Sequence, residues 1–281
     1  MKKTLLSLAM VATLSAGSAV AAYLPFTVDP NGIEADVAIG TPFVANGFSG
    51  QYTEVAKFTA LTATSGLFQT QIVYQVNAFT DVSEQAINGN FTTRLGNDYT
   101  LYALMDFSGS YSTSGATTSF SFGSGGIELF YDGMDTVAQV TTFATIPNSP
   151  AGFPVNWITG GNTDDVSLAT GALIVGSGTV SCSSGNNCGS FGVETTFALN
   201  FANNADDFFI APVPFHNLAL GNGQFDGFNL PTVAGNVAYQ KLSGSMNVHL
   251  SEQTVPEPST IALLGLGLTG LGLSLRRRKT A

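Results

Sequence analysis

Residues 191–201 read Phe191-Gly192-Val193-Glu194-Thr195-Thr196-Phe197-Ala198-Leu199-Asn200-Phe201. In an extended chain successive side chains point to opposite faces, so Phe191, Val193, Phe197, Leu199 and Phe201 share one side. Glu194, Thr196 and Asn200 share the other. No 3.6-residue stripe fits the segment, and its aromatic and β-branched residues suit a half-buried strand. The same alternation recurs outward in both directions. Leu242, Met246, Val248 and Leu250 alternate with Lys241, Ser243, Ser245, Asn247 and His249. Tyr99, Leu101, Ala103, Met105 and Phe107 form another apolar face. Shorter runs at Gln71–Val76, Thr118–Phe122, Ile127–Tyr131 and Ala172–Val175 complete the series. Strands with one apolar face belong to antiparallel sheets. Many of them at short spacing predict an all-β body, an antiparallel sandwich or jelly roll. A β-helix would need a fixed-period repeat, and none is present.

Between the runs lie turn formers: Asp132-Gly133, Gly160-Gly161-Asn162, Asn203-Asn204 and Gly221-Asn222-Gly223. Asn and Asp bond their own backbone there, and Gly supplies positive φ. Pro147, Pro150 and Pro154 mark a central loop, but no stretch is long or polar enough to serve as a linker. The body is therefore expected to be one domain.

Charge narrows the function. Of 281 residues only 9 are Lys or Arg, against 19 Asp or Glu. Lys2, Lys3, Arg276, Arg277, Arg278 and Lys279 lie at the ends, which leaves Lys57, Arg94 and Lys241 for the rest. Residues 23–255 thus carry 18 acidic against 3 basic groups, a net charge near −15. A nucleic-acid partner is excluded, because neutralising phosphates needs clustered Lys or Arg.

The two ends read as addresses. Lys2-Lys3, the apolar run Leu5 to Leu14 and the small residues Ala19-Val20-Ala21 predict a secretory signal helix over 1–22, taken up by the Sec translocon. At the other end Val255-Pro256-Glu257-Pro258 precedes an apolar run, Ile261 to Leu275, and then Arg276-Arg277-Arg278-Lys279. Fifteen helical residues rise about 22 Å, short of the ~30 Å hydrocarbon core. The basic cluster holds its end in the cytoplasm. Four glycines, at 265, 267, 270 and 272, loosen the helix. The pattern describes a transient stop in the inner membrane with processing at the Pro-Glu-Pro boundary. The expected organisation is a signal at 1–22, an all-β extracellular domain at 23–254 and a sorting segment at 255–281.

Export permits disulfides. Cys182 and Cys188, the only cysteines, enclose five residues and are expected to staple a hairpin. Two thiols without a nearby His make a poor zinc site.

Enzymatic signatures are scarce. His216 and His249 are the only histidines, and no G-x-S-x-G elbow, H-E-x-x-H, P-loop or dinucleotide fingerprint occurs. The chain is accordingly expected not to be an enzyme, with no catalytic residues and no resident cofactor. A glycosidase needs only two carboxylates, and Glu128 with Glu194, each on the polar side of a strand, is the best pair. Calcium would find oxygen ligands at Asp132, Asp135, Asp164 and Asp165, although none follows an EF-hand loop. Divalent ions bridging a body of charge −15 would make aggregation sensitive to a chelator. Trp157 or Tyr131 would centre a lectin-like sugar site, by stacking on a sugar ring.

The order of Pro-Glu-Pro motif, apolar helix and Arg-rich end resembles the PEP-CTERM sorting signal of Gram-negative bacteria. The resemblance implies recognition and processing by an exosortase. Further stretches are similar to the flocculation-associated PEP-CTERM proteins: Leu24-Pro25-Phe26-Thr27-Val28, Gly50-Gln51-Tyr52-Thr53-Glu54, Arg94-Leu95-Gly96-Asn97-Asp98-Tyr99, Asn162-Thr163-Asp164-Asp165, Cys188-Gly189-Ser190-Phe191-Gly192 and Gly244-Ser245-Met246-Asn247-Val248. They imply a surface or matrix protein that works with exopolysaccharide to hold cells in flocs or biofilm. A secreted carbohydrate-active enzyme and a lectin-like module are the alternatives.

Overall fold

The computed structural model describes residues 25–33, 40–87, 92–133, 153, 165–183, 187–201, 208–211, 217–225 and 230–251. Among these every element is a strand. In chain order they are β1 (Phe26–Val28), β2 (Phe43–Ala45), β3 (Gly47–Ala60), β4 (Ser65–Thr80), β5 (Tyr99–Ser114), β6 (Thr117–Gly133), β7 (Val166–Ser183), β8 (Asn187–Phe201), β9 (Phe209–Ala211), β10 (Asn217–Phe225) and β11 (Val237–Ser251). Both expected terminal helices, the signal and the sorting tail lie outside the described residues.

The expected antiparallel, all-β body is what forms, and its connectivity is specific. Eight strands pair in the order β10-β11-β3-β4-β5-β6-β7-β8, and β8 pairs with β10 to close the ring. Most neighbours in space are neighbours in sequence, joined by short connections at β3–β4, β5–β6 and β7–β8 and by longer ones at β4–β5 and β6–β7, and ring closure leaves no free edge within the barrel. The one excursion is β9, which joins β1 and β2 in a separate three-stranded sheet.

Alternation explains which face turns inward. On β3, β4 and β5, Tyr52, Tyr74 and Ala103 stand opposite one another across the sheet and are buried. Gln51, Gln75 and Tyr102 occupy the next row, on the outer face. The interior continues through Phe58, Val76, Leu101, Met105, Phe107, Ile127, Leu242, Met246 and Val248. A barrel that spans a bilayer turns its apolar face outward to lipid. Here the outer rows mix Gln69, Gln71, Ser108, Ser110, Ser121, Lys241, Ser243 and Ser245 with Val55, Leu67, Val73 and Leu104, so they form no continuous apolar band of that kind.

Aromatic packing fills the end near the chain's first strand. Phe26 of β1, Phe48 of β3 and Phe79 of β4 meet at centroid distances of 5.2–6.4 Å, and Phe43 of β2 lies 4.9 Å from Phe79. Phe208 and Phe209 join from the β9 segment at 4.9 Å from each other, and Phe208 packs on Tyr99 and Tyr131. Such tilted and edge-to-face contacts each add ~0.5–1.5 kcal/mol beyond area burial. His249, expected on the polar side of its strand, is 4 % exposed in this region. Its Nδ1 lies 3.3 Å from the Asn46 carbonyl oxygen, in space left by Gly47, where a Cβ would stand 2.7 Å from the ring. The histidine is structural.

Three expectations on turns and strand limits change, one of them at Gly221-Asn222-Gly223, expected as a turn, which lies inside β10 where its ladders to β8 and β11 shift register. Thr118–Phe122 and Ile127–Tyr131, expected as separate strands, are parts of one strand, β6, which runs through Gly123-Ser124-Gly125-Gly126. The register with β5 shifts at Ser108/Gly109, leaving Gly123 as the extra residue of a bulge. Gly125 packs where a Cβ would come within 2.6 Å of the Asp106 carbonyl oxygen and the Phe107 ring. These glycines permit close strand approach rather than reversal. Asp132-Gly133, expected as a turn, forms the buried end of the same strand.

Candidate functional site

A trough lined by both polar and apolar residues crosses the outer face from β3 to β7. Backbone register aligns Lys57 of β3, Gln69 of β4, Ser108 of β5 and Ser124 of β6 in one row. The next row holds Gln71, Asp106 and Gly126, and the next Leu104, Glu128 and Thr170. Two depressions of about 680 and 670 Å³ follow these rows and share Gln69 and Ser108. Phe153, from the connection between β6 and β7, stands at the second. Four strand spacings make the trough roughly 19 Å across.

Its floor is built from short side chains. The Ser108 and Ser124 hydroxyls bond each other at 2.7 Å, and the Ser167 hydroxyl donates to Glu128 Oε1 at 3.0 Å. At Gly126 an added Cβ would lie 3.2 Å from Asp106 Oδ1, so the missing side chain leaves this carboxylate uncovered. Partial desolvation raises the Asp106 carboxyl above its ordinary range. Asp106 and Glu128 lie on adjacent strands, offset by two residues, and such diagonal neighbours are roughly 7 Å apart. Sequence patterning placed both Glu128 and Asp106 opposite an apolar strand face but did not single out Asp106, because nothing local says that residue 106 stands beside a glycine 20 positions away.

The carboxylates expected to pair do not. Thr170 is the register partner of both Glu128 and Asn200, and Glu194 lies six residues before Asn200 on β8. That separates the Glu128 and Glu194 backbones by roughly 20 Å along the strands, far beyond the ~5–10 Å glycosidase geometry. The register therefore removes this pair.

Of the calcium candidates, Asp132 and Asp165 sit side by side at the end of the β6–β7 ladder, next to the Tyr131–Val166 pair. Asp132 is buried and accepts a hydrogen bond from the Thr100 hydroxyl at 3.1 Å. Asp165 accepts one from the Tyr102 hydroxyl. Burial first, then the nearby Asp165, Asp132 and Glu128 carboxylates, drive the Tyr102 phenol far above its ordinary value. Among the described residues no three His, Cys, Asp or Glu side chains group to hold a metal ion. Asp135 and Asp164 lie outside the described residues, as does Trp157. Tyr131 cannot serve as a sugar platform. It is 1 % exposed and stacks on Tyr99 at 5.1 Å.

Cys182 and Cys188 are Cα partners across the β7–β8 hairpin, the placement a hairpin staple requires. A second ionisable group is less expected. Glu54 occupies the inward row of β3, opposite Ile72 and Leu242. Its Oε1 accepts from the Thr70 hydroxyl at 2.5 Å, and burial raises its carboxyl to about 7 despite that bond.

Val255, Pro256, Glu257, Pro258 and the basic stop Arg276–Lys279 lie outside the described residues, and comparison with known proteins speaks to them directly. No curated protein and no solved structure matches the chain. Residues 254–279 match the PEP-CTERM protein-sorting motif, within two residues of the segment read from the sequence at either end. The chain thus carries at its C-terminal end a PEP-CTERM sorting motif, the signal of an exported, exosortase-processed protein.

Proposed function

We propose that the exported barrel is a cell-surface or extracellular-matrix protein that promotes flocculation and biofilm formation by binding exopolysaccharide. The observation that carries this reading is the outer trough. Hydroxyl and amide groups from Gln69, Gln71, Ser108, Ser124 and Thr170 line it, and these are the donors and acceptors that sugar hydroxyls use. A closed barrel with no free strand edge also suits a protein that must stay dispersed during export and attach through side chains. Calcium belongs to the same proposal, as a bridge between copies of a body near −15.

The test is deletion of the gene, then restoration of full-length or tail-less protein. Flocs should be lost on deletion and return only with the full-length chain. Normal flocs without the protein would end the proposal. An enzymatic reading would now rest on Asp106 and Glu128, whose spacing falls in the range of an inverting glycosidase. Oligosaccharide turnover abolished by both Asp106→Asn and Glu128→Gln would establish it instead.

A further inference from the structure

We infer that the trough selects a polysaccharide bearing free amino groups, such as a partly deacetylated hexosamine polymer, over neutral or uronate chains. The inference rests on the polysaccharide-binding reading above and adds the chemical class of the ligand.

The argument is one of charge placement within a shaped surface. Neutral recognition groups run the length of the trough, from Gln69, Ser108 and Ser124 to Gln71 and Thr170. They match sugar hydroxyls and carry no preference between charged and uncharged rings. The carboxylates supply the preference. Asp106 and Glu128 stand on adjacent strands in successive rows, with Gly126 leaving the space beside Asp106 open. A chain lying across β5 and β6 would bring its substituents past both. Glu128 is already oriented by the Ser167 hydroxyl, so less side-chain freedom is lost when an ammonium group docks. Lys57, the trough's one cation, lies in the row beyond Asp106, on β3.

The rest of the body reinforces this choice. With a net charge near −15 it repels a polyuronate before contact and attracts a polycation over the Debye length. A neutral polymer gains nothing from either carboxylate, and its approach leaves them partly desolvated. An ammonium-bearing chain forms charge-assisted hydrogen bonds at the same positions, and these are the stronger kind.

The experiment titrates the full exported protein with three tetrasaccharides: glucosamine, N-acetylglucosamine and galacturonate. Binding is read by calorimetry at low and moderate salt. The glucosamine oligomer should bind about tenfold tighter than the N-acetyl form, and the ratio should shrink as salt screens the pair. Asp106→Asn and Glu128→Gln should each remove most of that preference. Glu84→Gln, an equal charge change in the β4–β5 connection outside the trough, should leave it intact. Equal binding of the amino and N-acetyl oligomers, tighter binding of the uronate, or a preference that survives both trough variants would overturn the inference while leaving polysaccharide binding in place. Failure of all three sugars to bind would instead overturn the underlying reading.

Discussion

Replacing Glu54 by Gln should stabilise the barrel above neutral pH and do little in acid. The reason is the carboxyl's position on the inward row of β3, between Tyr52 and Ala56 and opposite Ile72 and Leu242. Burial penalises the charged form and outweighs the hydrogen bond from Thr70, so the carboxyl titrates near 7 rather than 4.5. The folded state then holds the proton more tightly than the unfolded chain does. Stability is greatest below about 4.5, falls as pH rises toward 7, and levels off beyond. A displacement of that size corresponds to about 3 kcal/mol at most, at 1.36 kcal/mol per pH unit. Gln keeps an oxygen for the Thr70 hydroxyl and carries no charge, so the variant escapes the loss. The assay is thermal unfolding of wild type and Glu54→Gln from pH 4 to pH 8. Comparing the two cancels other titrations, including that of Asp106. For a body this size each kcal/mol moves Tm by ~2–4 °C, so a gap of roughly 6–12 °C should open at pH 8 and close near pH 4. A gap that is absent, or equal at both ends, would refute the assignment of Glu54 as a carboxyl that the interior keeps protonated.

Other expectations concern the scaffold and its ends. Gly50→Ala places a Cβ 2.0 Å from the Gln75 carbonyl oxygen, so it should cost several kcal/mol or block folding, whereas Gly123→Ala, with its nearest neighbour at 3.8 Å, should change stability by under ~0.5 kcal/mol. Denaturant titration of both variants measures the contrast. Mass measurement of the exported protein should find Cys182 and Cys188 two hydrogens lighter than the reduced pair, and reduction should lower stability by less than the ~3 kcal/mol of a 15-residue loop. Addition of a chelator should weaken aggregation, and unchanged aggregation would remove calcium from the account. The mature surface protein should lack residues 261–281, and their retention would mean an ordinary anchor.

The alternation of Tyr99 to Phe107 and of Lys241 to His249 was enough to read antiparallel strands, because period two is a property of the local chain. The sorting tail was legible for a similar reason. Its motif, apolar run and basic end act in sequence order, and residues 254–279 match the motif. Alternation gave His249 its face but not its depth, which depends on what packs around the ring. At the barrel end, Gly47 leaves room for the buried ring beside the Asn46 carbonyl. The continuity of β6 through Gly125 was not legible because the glycine's close partners, Asp106 and Phe107, arrive from another strand.

What the sequence determined by itself was the strand character of the body, its acidity and the address at its end, since each depends on residues close together in the chain. Only the tertiary structure decided which carboxylates are neighbours. Register across β5, β6, β7 and β8 set Asp106 beside Glu128 and carried Glu194 away from both. Ring closure likewise decided which face turns inward, and so which of two similar acids, Glu54 or Asp106, meets water. A strand's pattern offers two faces, but the pairing of all eight strands chooses between them.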